Sequence, residues 1–204
     1  MNCLKGVRIY LAGPVESERI PDVWRKEVQI PLQKLGMIVL NPIIKPIWVP
    51  NVTGERQLEL KMALLNDHRI SSETNDKIIN NDRTRAHCLS LVRMADILII
   101  NFTKKKFTVG TFEEMVSAKG KPIFVICEDE IPSMWLCSFL ETYTKPERNL
   151  YLHKNVSSCV NMIMHISKYG ATAIGNRYED LCKWIFITHN ISKYSQRRKK
   201  CTSK

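Results

Sequence analysis

The sequence predicts an α/β fold, a doubly wound parallel sheet with helices on both faces. Three observations predict it. Short apolar runs alternate with stretches of helical period along most of the chain. One of those runs, at 97–100, is continuously apolar, as strands covered on both faces are. Two glycine-bearing segments, Tyr10-Leu11-Ala12-Gly13-Pro14 and Gly110-Thr111-Phe112-Glu113-Glu114, each follow such a run, at the carboxyl edge where open parallel sheets bind ligands.

Taken in order, residues 7–12 form an apolar-rich run closed by Gly13-Pro14 and read as the first strand. Residues 21–35 carry Val23, Val28, Ile30, Leu32 and Leu35 before a stop at Gly36, which is an amphipathic helix that Pro31 bends. Met37-Ile38-Val39-Leu40 is the second strand, closed by Asn41-Pro42. From 43 to about 81 the pattern is irregular and polar, with Pro46, Pro50 and the stretch 71–76. It reads as an insertion or lid (43–82) with a helix near 59–65. Regularity returns with a helix near 83–93, a strand at 97–100, a helix starting around Thr111 and a strand at 122–126. A helix at 134–143, a short strand at 150–152 and closing helices at 156–169 and 178–191 complete the alternation. Residues 1–194 are expected to be a single domain, followed by a basic tail at 195–204.

Composition narrows the function classes. The 204 residues are 44% hydrophobic and 25% charged, ordinary for a globular protein. No apolar run is long enough to span a membrane, and the amino terminus lacks the pattern of a signal peptide. A cytoplasmic protein with no membrane partner is expected. The seven cysteines are scattered and never spaced as Cys-x-x-Cys, and the five histidines are dispersed. Neither a disulfide framework nor a metal site is indicated, and no cofactor is called for. A net charge of +11 favours anionic partners. Part of it is local, in Lys104-Lys105-Lys106 and in Arg197-Arg198-Lys199-Lys200, where a solvated end and a nucleic-acid contact are both open readings.

Several residues are candidates for chemistry, each with a plainer alternative. If a helix begins near Thr111, Glu114 lies in its first turn, where a carboxylate can attack an anomeric carbon. Equally, Glu113 and Glu114 can simply complement the helix dipole. The N–H groups of Gly110 and Thr111 would hold an anionic or polyhydroxyl group. Tyr10 points either into the core or toward the same crevice. Gly13 and Pro14 allow a close backbone approach or merely punctuate a turn. Arg25 can meet a phosphate and Trp24 a base, or they are surface and core respectively. Asp96 is structural or contacts substrate.

In order and spacing these residues resemble the nucleoside 2-deoxyribosyltransferase family and its relatives, the 2'-deoxynucleoside 5'-monophosphate N-glycosidases. The resemblance runs through Tyr10-Leu11-Ala12-Gly13-Pro14, Trp24-Arg25, Asn41-Pro42, Ala95-Asp96-Ile97-Leu98, Gly110-Thr111-Phe112-x-Glu114-x-x-x-Ala118 and Gly120-Lys121-Pro122. It covers roughly the first 130 residues. It implies a compact Rossmann-like or flavodoxin-like fold, cleavage of the N-glycosidic bond of a 2'-deoxynucleoside or its monophosphate, and a homo-oligomer in which neighbouring chains complete the site. Glu114 matches the family nucleophile and Tyr10 the tyrosine that orients it.

Two departures stand out. The acidic residue that the family often has eight positions before the Asp of the Ala-Asp pair is here Cys88, with His87 or Asp82 as substitutes for handling the leaving base. The transferases' Asp six residues before the nucleophile is here Thr108, a hydroxyl similar to the serine of the monophosphate hydrolases. That resemblance favours a 5'-monophosphate, which an Asp would repel. The rival readings are an N-ribosyl hydrolase acting on another nucleotide, such as a nicotinamide nucleotide, and a catalytically inactive nucleotide- or nucleic-acid-binding module.

Overall fold

The computed structural model describes residues 3–15, 23–44, 72–102, 109–127 and 150–169. Five strands form one sheet in the order β2-β1-β3-β4-β5, all parallel. They are β1 (Arg8–Ala12), β2 (Ile38–Leu40), β3 (Ile97–Phe102), β4 (Ile123–Cys127) and β5 (Leu150–His153). All six residues of β3 and all five of β4 are buried. Such strands can be apolar throughout because helices cover both of their faces. Strand β2 lies at an edge and stays partly exposed.

The strand period of two sorts the core into halves. Ile9, Leu11, Ile97, Ile99, Phe124 and Ile126 face helices α1 (Val23–Lys34) and α4 (Val156–Tyr169). Tyr10, Ala12, Leu98, Ile100, Val125 and Cys127 face the other side, with Val92 of α2 (Ser72–Met94) and Met115 of α3 (Val109–Ser117). Helix α1 packs beside α4 and α2 beside α3. The order reverses between β1 and β3, and the crevice at this switch point is where doubly wound sheets take ligands.

Two helix starts differ from the sequence expectation. Helix α2 begins at Ser72, eleven residues before the expected 83, so the polar stretch read as part of a lid belongs to a helix. Ser, Asn, Asp and Thr look like loop residues by composition but also favour a helix's first turns. Helix α3 begins at Val109, before Thr111, so no acid lies in its first turn and Glu113 and Glu114 sit in the second. Their complementing of the helix dipole loses its basis, since that effect falls off within the first turn. Pro31 lies inside α1 without ending it; Gly36, with φ 74°, does that, and Gly36 N–H donates to Gln33 O at 2.8 Å.

Local chemistry fixes the remaining ends. Asn155 caps α4, accepting from Ser158 N–H at 2.8 Å. Lys121 crosses to the carboxyl end of α2, where its Nζ donates to the carbonyls of Val92, Arg93 and Ala95, each at 2.7 Å. Those are orphan acceptors of a helix terminus, and one ammonium has three protons to give. The expected helices at 59–65, 134–143 and 178–191, the lysines at 104–106 and the tail at 195–204 lie outside the described residues.

Candidate active site

Tyr10 and Glu114 meet across the β1/α3 boundary. Tyr10 is fully buried, its ring packed among Leu98, Ile100 and Met115, and its hydroxyl donates to Glu114 Oε1 at 2.6 Å. Both readings of Tyr10 therefore apply, to the ring and to the hydroxyl. Glu114 as a residue is half-buried, but its carboxyl group is enclosed. Burial raises its pKa from the ordinary 4.5 to about 7, against the opposing pull of the Tyr10 hydrogen bond and the Arg25 charge. Tyr10 is itself pushed well above its ordinary value, first by burial and then by Glu114 and Cys88.

Glu113, next in sequence, has the opposite environment. Arg85 of α2 grips it with two hydrogen bonds, Nε to Oε2 at 2.7 Å and Nη2 to Oε1, and this pairing holds the carboxyl below its usual range. Adjacent carboxyls whose surroundings push them apart are a pattern of sites that separate a structural charge from a reactive one. The Arg85–Glu113 pair joins α2 to α3 and so sets where Cys88, one turn further along α2, stands. Cys88 is among the groups that raise the pKa of the Tyr10 hydroxyl, after burial and Glu114.

Arg25 corrects the expectation of a phosphate ligand. Its side chain is 0% exposed, and its guanidinium donates to Gly13 O at 2.7 Å and Pro14 O at 3.4 Å while lying over the Trp24 ring. It holds the loop after β1 in place and lends its charge to Glu114 from inside. Trp24 takes the core alternative, buried against the α1 side with Nε1 enclosed and unpartnered.

Gly13 is required by the chain's own packing. A Cβ there would lie 2.8 Å from Trp24 Cζ2 and 3.2 Å from Asn101 O. Pro14 beside it is buried.

Asp96 stands apart from the site, at the amino ends of the strands. It accepts from Arg8 N at 2.9 Å, Arg8 Nε at 3.0 Å and Arg8 Nη2 at 2.7 Å, fastening β1 to β3. The structural reading accounts for all of these contacts, and the substrate-binding alternative is corrected accordingly. Gly110 is exposed in the first turn of α3, where a Cβ would meet nothing within 4 Å, and Thr111 beside it is buried. Thr108 lies outside the described residues.

Arg85 and Lys121 were not singled out as working residues by the sequence. The helical spacing of Arg85, Cys88 and Val92 is the signal that could have found Arg85, because it puts all three on the face that meets α3. A groove of about 470 Å³ between the carboxyl ends of α1 and α4, lined by Leu35, Met164, His165 and Tyr169 among others, lies on the other face of the sheet from Glu114. Its lining offers no group placed to act with that carboxylate.

Fold and site together define a doubly wound α/β protein with an enclosed glutamate, held by a tyrosine, beside the switch point. No family model matches the chain, and no curated protein does. Among solved structures, a 2-deoxyribosyltransferase from the psychrotolerant bacterium Bacillus psychrosaccharolyticus is similar over 76% of this chain and 91% of its own, at 19% identity and a TM-score of 0.43. A conserved protein from Enterococcus faecalis V583 is similar over 77% of this chain and 87% of its own, at 15% identity and a TM-score of 0.37. None of the described helices is long and apolar enough to cross a membrane.

Proposed function

We propose that this chain is an enzyme cleaving the N-glycosidic bond of a 2'-deoxynucleoside or its 5'-monophosphate, with Glu114 as the nucleophile. The observation that carries the reading is the enclosed Glu114 carboxylate, oriented by the Tyr10 hydroxyl at 2.6 Å beside the β1/β3 crevice. The motif order described above supplies the substrate class.

In this mechanism a Glu114 oxygen bonds to C1' of the sugar as the C1'–N bond breaks, and the electron pair leaves with the base, which takes a proton. Water, or an acceptor base, then attacks C1', breaking the ester and restoring the carboxylate. Only ionised Glu114 can attack, so a pKa of about 7 leaves roughly half of the free enzyme competent at neutral pH. Tyr10 contributes by fixing the carboxylate's rotamer and favouring its charge. Arg25 holds the loop that borders the crevice. With Arg25 committed to that loop, the preference for a monophosphate rests on Thr108 and on the first-turn N–H groups of α3. A homo-oligomer completing the base side of the site belongs to the same proposal.

The test is chromatographic detection of free base from a panel of deoxynucleosides and their 5'-monophosphates, wild type beside Glu114→Ala. Release that disappears in the variant supports the reading, and the preferred substrate decides between hydroxyl and phosphate. No release from any member, with or without an acceptor base, overturns it. Release from a nicotinamide nucleotide alone, or nucleotide binding that survives Glu114→Gln without turnover, would establish one of the rival readings instead.

A further inference from the structure

We propose that Arg85 is a positioning residue for Glu114: its two-bonded grip on Glu113 sets the rotation of helix α3 and so aims the neighbouring carboxylate at Tyr10. The proposal deepens the reading of Glu114 as nucleophile and rests on it.

Successive residues of a helix point about 100° apart around its axis. Glu113, Glu114 and Met115 accordingly leave α3 in three directions, and each meets a different part of the fold. Glu113 accepts from Arg85 of α2, Glu114 accepts from Tyr10 of β1 at 2.6 Å, and Met115, fully buried, belongs to the same core cluster as Val92, Leu98 and Ile100. Three such anchors fix how far a short helix is turned about its axis. Helix α3 needs that fixing. Its nine residues are fewer than a helix needs to hold itself in water. Its first turn gives little support, since Val109 is 80% exposed, Gly110 is exposed with open space beside it, and of that turn only Thr111 is buried.

The two helices are tied at both ends. Helix α2 ends just before β3 begins, and there Lys121 holds its last carbonyls. Helix α3 starts beyond the end of β3, so the Arg85–Glu113 clasp is the tie on the crevice side. A guanidinium suits that task, because its Nε and Nη2 form a planar fork that matches a carboxylate, which a lysine's single ammonium does not. Both side chains are open to solvent, 61% for Arg85 and 31% for Glu113, and exposed ion pairs add little to global stability. The contribution of this pair lies in placement. A displacement of about 1 Å at the reacting atoms can cost about 100-fold in rate.

The experiment is a ¹³C-carboxyl NMR titration of Glu114, assigned with Glu114→Gln, in wild type, Arg85→Lys and Arg85→Met, each also in a Tyr10→Phe background. The charges that act on Glu114 are those of Arg25 and Glu113. Lysine keeps a positive charge beside Glu113 and loses the fork, so it separates charge from geometry. With the fork gone the bond from Tyr10 slackens, and the titration should move up by about 0.5–1 pH unit in both variants. In the Tyr10→Phe background the lysine shift should fall to less than about half, since no bond is left to slacken. Base release is read alongside: kcat should fall about 10-fold or more in Arg85→Lys, with KM within about twofold of wild type. A lysine variant that titrates as wild type does, or a lysine shift equal in both backgrounds, would overturn the proposal. The titration needs no turnover. Shifts that behave as expected in a protein releasing no base would leave Arg85 as the residue that aims Glu114 and remove the glycosidase reading.

Discussion

Replacing Glu114 by Gln should make the protein more stable at neutral and alkaline pH while removing its proposed nucleophile. In the folded chain the carboxyl keeps its proton up to about pH 7, whereas in the unfolded chain it loses it near 4.5. Between those values the folded state binds more protons, so stability falls as pH rises, and above about 7 the loss is complete. Going from 4.5 to about 7 at about 1.4 kcal/mol per pH unit gives about 3 kcal/mol. A glutamine, which cannot ionise, avoids that loss and still accepts from Tyr10. For a chain of this size about 3 kcal/mol corresponds to roughly 6–12 °C in Tm. The assay is thermal unfolding of both proteins by calorimetry at pH 4, 6 and 8.5. The Tm difference should be near zero at pH 4, intermediate at pH 6 and full at pH 8.5. A difference that does not change with pH, or a variant less stable than wild type at pH 8.5, would refute the claim that Glu114 is held in an enclosed, ionisation-resistant site.

The remaining predictions concern groups around that carboxylate. Tyr10→Phe removes a hydrogen bond that favours the charged form, so the acid limb of the kcat/KM profile should move to higher pH, and activity at pH 7 should fall about 10- to 100-fold, as for loss of a bond worth about 1.5–3 kcal/mol. An unchanged profile would remove Tyr10 from its role. Gly13→Ala should destabilise by about 1–3 kcal/mol, because its methyl collides with Trp24 and Asn101 O. Gly110→Ala meets empty space and should stabilise by about 0.5–1 kcal/mol; chemical denaturation measures both, and a rise in KM confined to Gly110→Ala would show that substrate comes close to that backbone. Lys121→Met leaves three carbonyls at the end of α2 without their donor and should cost about 1–3 kcal/mol in the same experiment.

What the sequence made legible follows from how each feature is encoded. Strands β3 and β4 and helix α4 could be read because burial writes continuous apolar runs and a clear helical stripe, and α4 was placed at its observed bounds. The beginning of α2 was not, since residue types that favour helix starts also favour loops. The beginning of α3 was read late because Gly110, a poor helix former, lies within its first turn. Tyr10 and Glu114 stood out by their position after strands, and it was the resemblance, not their separation of 104 residues, that paired them ahead of the 2.6 Å contact. Arg25 was misread for a related reason. A guanidinium beside a glycine loop looks like an anion ligand, and nothing in one dimension shows that the loop's own carbonyls occupy it. Cys88 was visible only as a departure from a resembled pattern.

The Arg8–Asp96 clasp has a consequence for how the chain is made. Strand β1 leaves the ribosome well before its partner β3, which is anchored to it by residues 88 positions later. At about 5–20 residues per second of synthesis, one edge of β1 waits roughly 4–18 seconds for that partner. During this interval β1 and α1, with β2 on the far side, present an unpaired apolar strand edge, the kind that other chains or chaperones take up. Closure at β3 therefore marks the moment in translation after which Tyr10 has its sheet around it, and only about a dozen further residues bring out Glu114 to meet it.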